Sequence, residues 1–293
     1  MTRILSLLIT LLLGATSQVG AQLLWRIETP DGQNISYLLG THHLAPVEVL
    51  DSLSGYKEAF ANAEVIVGEL DMNSLQNPDV ISSLASMAVA PADSTLTSLL
   101  TPAQRDSVES VMKEYLGESA TLDLFAWMKP VQVSILLATA QTMKAFPDFD
   151  VSRQLDTFIQ KQALTAGKEV KGLETVSQQA SLIYGSPISE QVSELLDAVA
   201  NHNESLQMAR RLAALYLDGD LDGMLALMEE PGAGFNTRQQ DRLIAARNAE
   251  WVKMLATFLP TASLLIVVGA GHLPGVNGLI SLLRKEGFTV NPA

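Results

Sequence analysis

Two stretches at opposite ends of this chain carry one pattern, and that pairing narrows the available folds more than any other feature. Residues 36–50 laid on 265–279 bring Gly40 onto Gly269, His43 onto His272, Leu44 onto Leu273, Val47 onto Val276 and Leu50 onto Leu279 without a gap. Each stretch starts as an apolar, β-prone run, turns at the glycine, places a histidine three residues on and continues into an apolar periodic segment. A strand that ends in Gly-x-x-His and feeds a helix is part of an α/β unit, and two such units predict a sheet that brings both histidines to one edge. The expected fold class is α/β: a mixed sheet core of two pseudo-repeated strand-GxxH-helix units with a large helical insertion. At such a turn glycine permits a tight bend, and imidazole can serve as a metal ligand or a proton carrier.

The rest of the chain fits around that core. Residues 23–27 and 35–39 read as a hairpin about the Pro30-Asp31-Gly32 turn. A helical stretch near 52–62 leads to an apolar run at 65–68 that ends in Glu69 and Asp71, and a short strand within 167–174 ends in Glu174. Residues 263–268 carry the strongest strand signal, followed by a helix over 276–286 and a last short strand at 288–290. Between these, about 80–150 and 185–260 read as mainly helical, an insertion or cap within one domain of residues 22–293. The first 21 residues have Arg3, an apolar run over 4–13 and a small-residue exit at Val19-x-Ala21, the grammar of a secretory signal cleaved near Ala21. The mature protein is expected to be periplasmic or secreted, with no transmembrane segment after cleavage.

Composition limits the chemistry. The chain has no cysteine, so disulfides, thiolate nucleophiles and Cys-ligated metals are excluded. A formal charge of −13 argues against nucleic-acid partners. Only four histidines exist, and His42, His43 and His272 lie in the two matched turns while His202 lies between helices. Two histidines in matched contexts, with Glu69, Asp71 and Glu174 at other strand ends, point to a shared site rather than isolated loop contacts. The segment from Asp218 to Glu229 satisfies a calcium-loop pattern in full, but Pro231 and Gly232 break the exit helix such a loop needs. Asp220 is better read as a helix N-cap. Trp25, Trp127 and Trp251 read as core packing.

Five ordered blocks then resemble the TraB/GumN/Tiki family. They are YLLGTHHL at 37–44, VIVGELD at 65–71, LDTFIQKQALTAGKEVKGLETVSQQ at 155–179, AARNAEW at 245–251 and VVGAGHLPGVNGLISLLRKEGFTV at 267–290. The resemblance implies a GumN-like secreted bacterial protein of the TraB superfamily. Its better-understood relatives look like metal-dependent proteases with a fold similar to ChaN and erythromycin-esterase proteins. The two family Gly-x-x-His motifs fall on Gly40–His43 and Gly269–His272, and the family's acidic residue falls on Glu69. Glu174, with Gln178 downstream, and the pair Arg247 and Asn248 fall on the remaining blocks. His42 departs from the family pattern, where an apolar residue is commoner, and reads as an exposed substitution in preference to a spare proton donor.

The resemblance implies that His43 and His272 bind a divalent transition metal, with Glu69 as third ligand or as base for a bound water; Mn, Co, Zn and Fe all suit such N/O donors. Arg247 would steady a substrate carboxylate or an oxyanion with Asn248 as a nearby donor, or would pair with a structural acid such as Glu174. The expected activity is hydrolysis of a peptide or amide bond in a peptide or small-molecule substrate. Two alternatives stand beside it: a non-catalytic binding protein for a peptide signal or for surface-polysaccharide export, and a haem- or iron-binding protein using the same histidines.

Overall fold

The computed structural model describes residues 22–150, 153–230 and 240–293; the expected signal segment, with its cleavage point at Ala21, lies outside them. Six strands form one mixed sheet: β1 (Leu24–Glu28), β2 (Ile35–Thr41), β3 (Val65–Gly68), β4 (Glu169–Gly172), β5 (Leu264–Gly269) and β6 (Thr289–Pro292), in the order β4-β3-β5-β2-β1-β6. β4, β3, β5 and β2 run parallel, while β1 pairs antiparallel with both β2 and β6. The hairpin expected at Thr29–Gly32 is present, closed by the Gly32 N–H on the Thr29 carbonyl. β2, β3 and β5 are buried almost throughout, as central parallel strands covered on both faces require.

Thirteen helices of the described residues surround this sheet. α1 (Val49–Ser52) and α2 (Tyr56–Asn62) link β2 to β3. α3 (Pro78–Ala88), α4 (Leu96–Leu99), α5 (Pro102–Leu116), α6 (Pro130–Ala145) and α7 (Leu155–Thr165) lie between β3 and β4. α8 (Val176–Tyr184), α9 (Ile188–Ala200), α10 (His202–Leu217), α11 (Leu221–Glu229) and α12 (Ala246–Phe258) lie between β4 and β5, and α13 (Leu279–Lys285) joins β5 to β6. Leu96, Val108, Met112, Val133, Leu137 and Leu195 form a second apolar cluster, apart from the one that buries the sheet. The helix expected over 276–286 starts at Leu279, and the stretch near 52–62 divides into α1 and α2. Asp220 is indeed an N-cap, accepting from the Gly223 N–H at 2.8 Å. Trp127, expected in the core, is 50 % exposed, whereas Trp251 is buried. Among the described residues no helix is long and apolar enough to cross a membrane.

The two Gly-x-x-His stretches lie side by side, because β2 and β5 are neighbours with Gly40 beside Val268 and Thr41 beside Gly269. Their glycines have a different reason from the one expected. Neither Gly40 nor Gly269 has a positive φ; both are sites of close approach. A Cβ on Gly40 would lie 3.0 Å from Leu273 Cδ2 and 3.1 Å from Ala270 Cα, within the other turn. On Gly269 it would lie 3.2 Å from Glu69 Oε1. Gly40→Ala is therefore expected to press the two turns apart and cost roughly 1–3 kcal/mol, read as a lowered Tm in thermal unfolding.

Candidate functional site

Because β2, β3, β4 and β5 are parallel, their C-terminal ends open on one edge of the sheet. Thr41 ends β2, Glu69 follows β3, Glu174 lies two residues past β4 and His272 three past β5. This edge is where open α/β sheets bind ligands. Facing it is the first turn of α12, which carries Arg247 and Asn248 and follows a π-helical turn at Asp241–Ala245.

Arg247 joins the cluster. Its Nη2 donates to Glu69 Oε2 at 2.6 Å and to Glu174 Oε1 at 2.5 Å, Nε reaches Glu174 Oε2 at 3.2 Å, and Nη1 donates to His272 Nε2 at 3.1 Å and to the Leu243 carbonyl at 3.0 Å. The side chains of Arg247, Glu69 and Glu174 are 11 %, 9 % and 7 % exposed, so these are buried ion pairs. The guanidinium lies over the Trp251 ring, 4.5 Å from its centroid. Gln179 Nε2 bridges the same carboxylates, 3.2 Å from Glu69 and 3.0 Å from Glu174. Gln178, which the family blocks single out, instead closes a capping box with Thr175 at the start of α8. Burial alone would push the Glu69 carboxyl up; His272, Arg247 and His43, with the Gly269 N–H at 2.8 Å, outweigh it and hold it at about 2.

Asn248 fixes the state of His272. Its Nδ2 donates to the His272 and Asn277 carbonyls at 3.0 and 2.8 Å, which turns Oδ1 toward His272 Nδ1 at 2.7 Å. An amide oxygen only accepts, so Nδ1 carries the proton and Nε2 keeps its lone pair. Burial pushes His272 down to about 4 despite the pull of Glu69, so the ring is neutral at pH 7. Asn248 is fully enclosed with both amide hydrogens engaged, which makes it a positioning residue for His272 rather than a donor to substrate.

His43 faces the other way. Its side chain is 63 % exposed, and Nδ1 is bonded to Asp156 Oδ2 at 2.8 Å. The second Asp156 oxygen accepts from the Thr41 hydroxyl at 2.9 Å. Asp156 raises His43 to about 9, an attraction that solvent around the ring screens. The sequence reading missed Asp156; the only signal was an acid in the first turn of α7, inside a family block. His42 is not an exposed substitution. It sits between Phe146 and Tyr216, with ring centroids 4.8 and 5.6 Å away, and burial lowers it to about 4. An apolar side chain would suit the same slot.

The expected ligand trio is not assembled in this arrangement. Among the described residues no group of three or more His, Asp or Glu side chains is placed to hold a metal ion. His43 Nδ1 is committed to Asp156, while Glu69 Oε2 and His272 Nε2 are committed to Arg247. Glu69 Oε1 and His272 Nε2 lie 3.8 Å apart with the guanidinium beside them. Glu69, Glu174, His272, Arg247 and Asn248 thus form one cluster, and His43 pairs separately with Asp156 at the same edge.

Two outcomes are expected. Arg247→Met leaves two buried carboxylates without a counter-charge and should cost roughly 3–5 kcal/mol in denaturant unfolding. The contribution of His43 depends on pH: its folded pKa lies above the ordinary 6.5, so its pairing stabilises fully below pH 6.5 and fades as pH rises toward 9. The Tm difference between wild type and His43→Ala should shrink across that window. Acidification acts oppositely on Glu69 and His272, both depressed, so their contribution is lost as pH falls from 6.5 toward 2.

Known proteins match the chain over nearly its whole described length. It is 25 % identical to metalloprotease TIKI2 of Danio rerio over 314 aligned positions, covering 91 % of this chain and 60 % of that protein. Identity to metalloprotease TIKI1 of Homo sapiens is also 25 %, over 309 positions, with 88 % of this chain and 60 % of that protein covered. The chain therefore spans less than two thirds of the length of these relatives. No solved structure matches it. The profile of the TraB/PrgY/gumN family matches residues 23–292, and the chain belongs to that family.

Proposed function

We propose that this chain is an exported hydrolase of peptide or amide bonds, working where Glu69, Arg247 and His272 meet at the sheet edge. The observation that carries the reading is the ionised, buried Glu69 carboxylate beside His272, a ring that burial keeps neutral, whose tautomer Asn248 fixes and whose Nε2 accepts from Arg247. A buried carboxylate and a neutral imidazole, both pre-oriented by hydrogen bonds, are the parts from which water-activating sites are built. The relatives named metalloproteases support the class of reaction. The grammar of residues 1–21 supports export.

In this reading Glu69 takes a proton from the attacking water. Arg247 opposes the negative charge that develops on the carbonyl oxygen. His43, with Nδ1 held by Asp156, holds a proton at Nε2 for the leaving amine. The relatives are named metalloproteases, and a divalent ion of the Mn, Co, Zn or Fe kind would supply a water of lowered pKa when bound. His43, Glu69 and His272 as placed do not form its ligand set, and binding would require Arg247 to leave His272.

The test is cleavage of a quenched-fluorescent peptide library by protein purified without metal-affinity resin. Activity is measured with chelator and after incubation with each of the four ions. Cleavage is expected, falling about 100-fold or more in a folded Glu69→Gln variant. Loss on chelation would assign the reaction to a metal, persistence would assign it to the side chains alone, and no cleavage under any condition would overturn the reading.

A further inference from the structure

Beside the cluster, on the β4 side of the sheet, lies a cavity of about 680 Å³, within the usual range for ligand sites. Its inner wall is the exit of β4, Gly172 to Glu174, and its flank is α8. Glu174 belongs both to this lining and to the Arg247 cluster, so the cavity abuts the proposed site. β4 is an edge strand, so nothing in the sheet closes the cavity on that side.

The opposite wall is α3, and α3 is unusual: none of its eleven residues is buried. Its apolar residues Leu84 and Met87 line the cavity across from Val176 of α8 and Met254 of α12. An apolar helix face left part-exposed over a cavity is a surface still available for packing. The charged lining is of one sign. Asp71 and Asp79 join Glu174 there, no Lys, Arg or His is among the lining residues, and neither Asp71 nor Asp79 has an ion-pair partner among the described residues. Asp79 is exposed at the start of α3, where it can meet a cation at the cavity mouth.

We propose that this cavity is the substrate-recognition pocket of the hydrolase, taking a peptide segment that presents a bulky apolar side chain next to a cationic group. The apolar side chain packs between α3 and α8, the cation meets Asp79 and Asp71, and the chain passes Glu174 to bring its amide to Glu69 and His272. Apolar burial supplies the affinity, and the acidic lining selects against anionic segments. This assignment deepens the hydrolase reading and rests on it for the identity of the ligand as a peptide.

The test is equilibrium dialysis of the chelator-treated protein against three hexapeptides, checked by mass spectrometry to be intact. The probes are Ala-Lys-Phe-Leu-Ala-Ala, its glutamate counterpart Ala-Glu-Phe-Leu-Ala-Ala, and Ala-Lys-Ser-Ser-Ala-Ala. The first is expected to bind about ten-fold or more tighter than either other. Leu84→Asp and Met87→Asp should each weaken it by about ten-fold, and because neither residue is fully buried both variants should still fold, checked by thermal unfolding. Asp79→Lys should erase the preference for lysine over glutamate. No binding, equal binding of all three probes, or binding indifferent to both α3 variants would overturn the pocket. Selective binding without cleavage in the library screen would sink the hydrolase reading alone. Cleavage indifferent to Leu84 and Met87 would sink the pocket alone.

Discussion

Two carboxylates at the ends of adjacent parallel strands cannot be buried together unless a cation is buried with them. β3 and β4 place Glu69 and Glu174 side by side under less than a tenth of their exposed surface, and Arg247 is the cation. That requirement fixes α12 against the sheet edge, since the guanidinium must arrive from a helix that packs through Trp251, Val252 and Leu255. Once α12 is docked, Asn248 at the next position reaches the turn after β5 and sets the tautomer of His272. One electrostatic necessity therefore orders three strand ends and one helix. The arrangement is costly in desolvation, a cost that the attraction of Arg247 for both carboxylates offsets.

The strands and their endings were legible because each is a short apolar run closed by glycine or an acid, a signal contained within a few residues. The α/β class, the mixed sheet, the hairpin and the strand-end positions of Glu69, Glu174 and His272 follow from such local patterns and from the family blocks. What was not legible depends on distant pairs. His43 and Asp156 are 113 residues apart, and nothing near either announces the other. Gln179 rather than Gln178 reaches the carboxylates because of helical phase after the Thr175 cap, a one-residue distinction that spacing alone does not resolve. The glycines were placed correctly for the wrong reason: both serve close approach between segments, which only the packed fold reveals.

The two matched Gly-x-x-His stretches end in different environments. His272 is buried, neutral and held by an amide; His43 is open to solvent and held by a carboxylate. Their strands are parallel neighbours in the sheet, but the helices over each turn decide what each imidazole can do. A dry neutral ring and a wet protonatable ring thus stand at one edge of the sheet.

The strand order also governs how this chain must come to its native state. β5 lies between β2 and β3, yet Thr41 of β2 and its hydrogen-bond partner Val268 of β5 are 227 residues apart. Until the last strands are available, β2 and β3 have a gap between them and the hairpin has nothing to pair against on that side. Nucleation by local contacts can build α5 and α6 early, but the sheet closes only by long-range search, a topology that folds slowly and late in synthesis. The chain thus stays open-sheeted, and dependent on protection of its bare strand edges, for most of its time emerging from the ribosome.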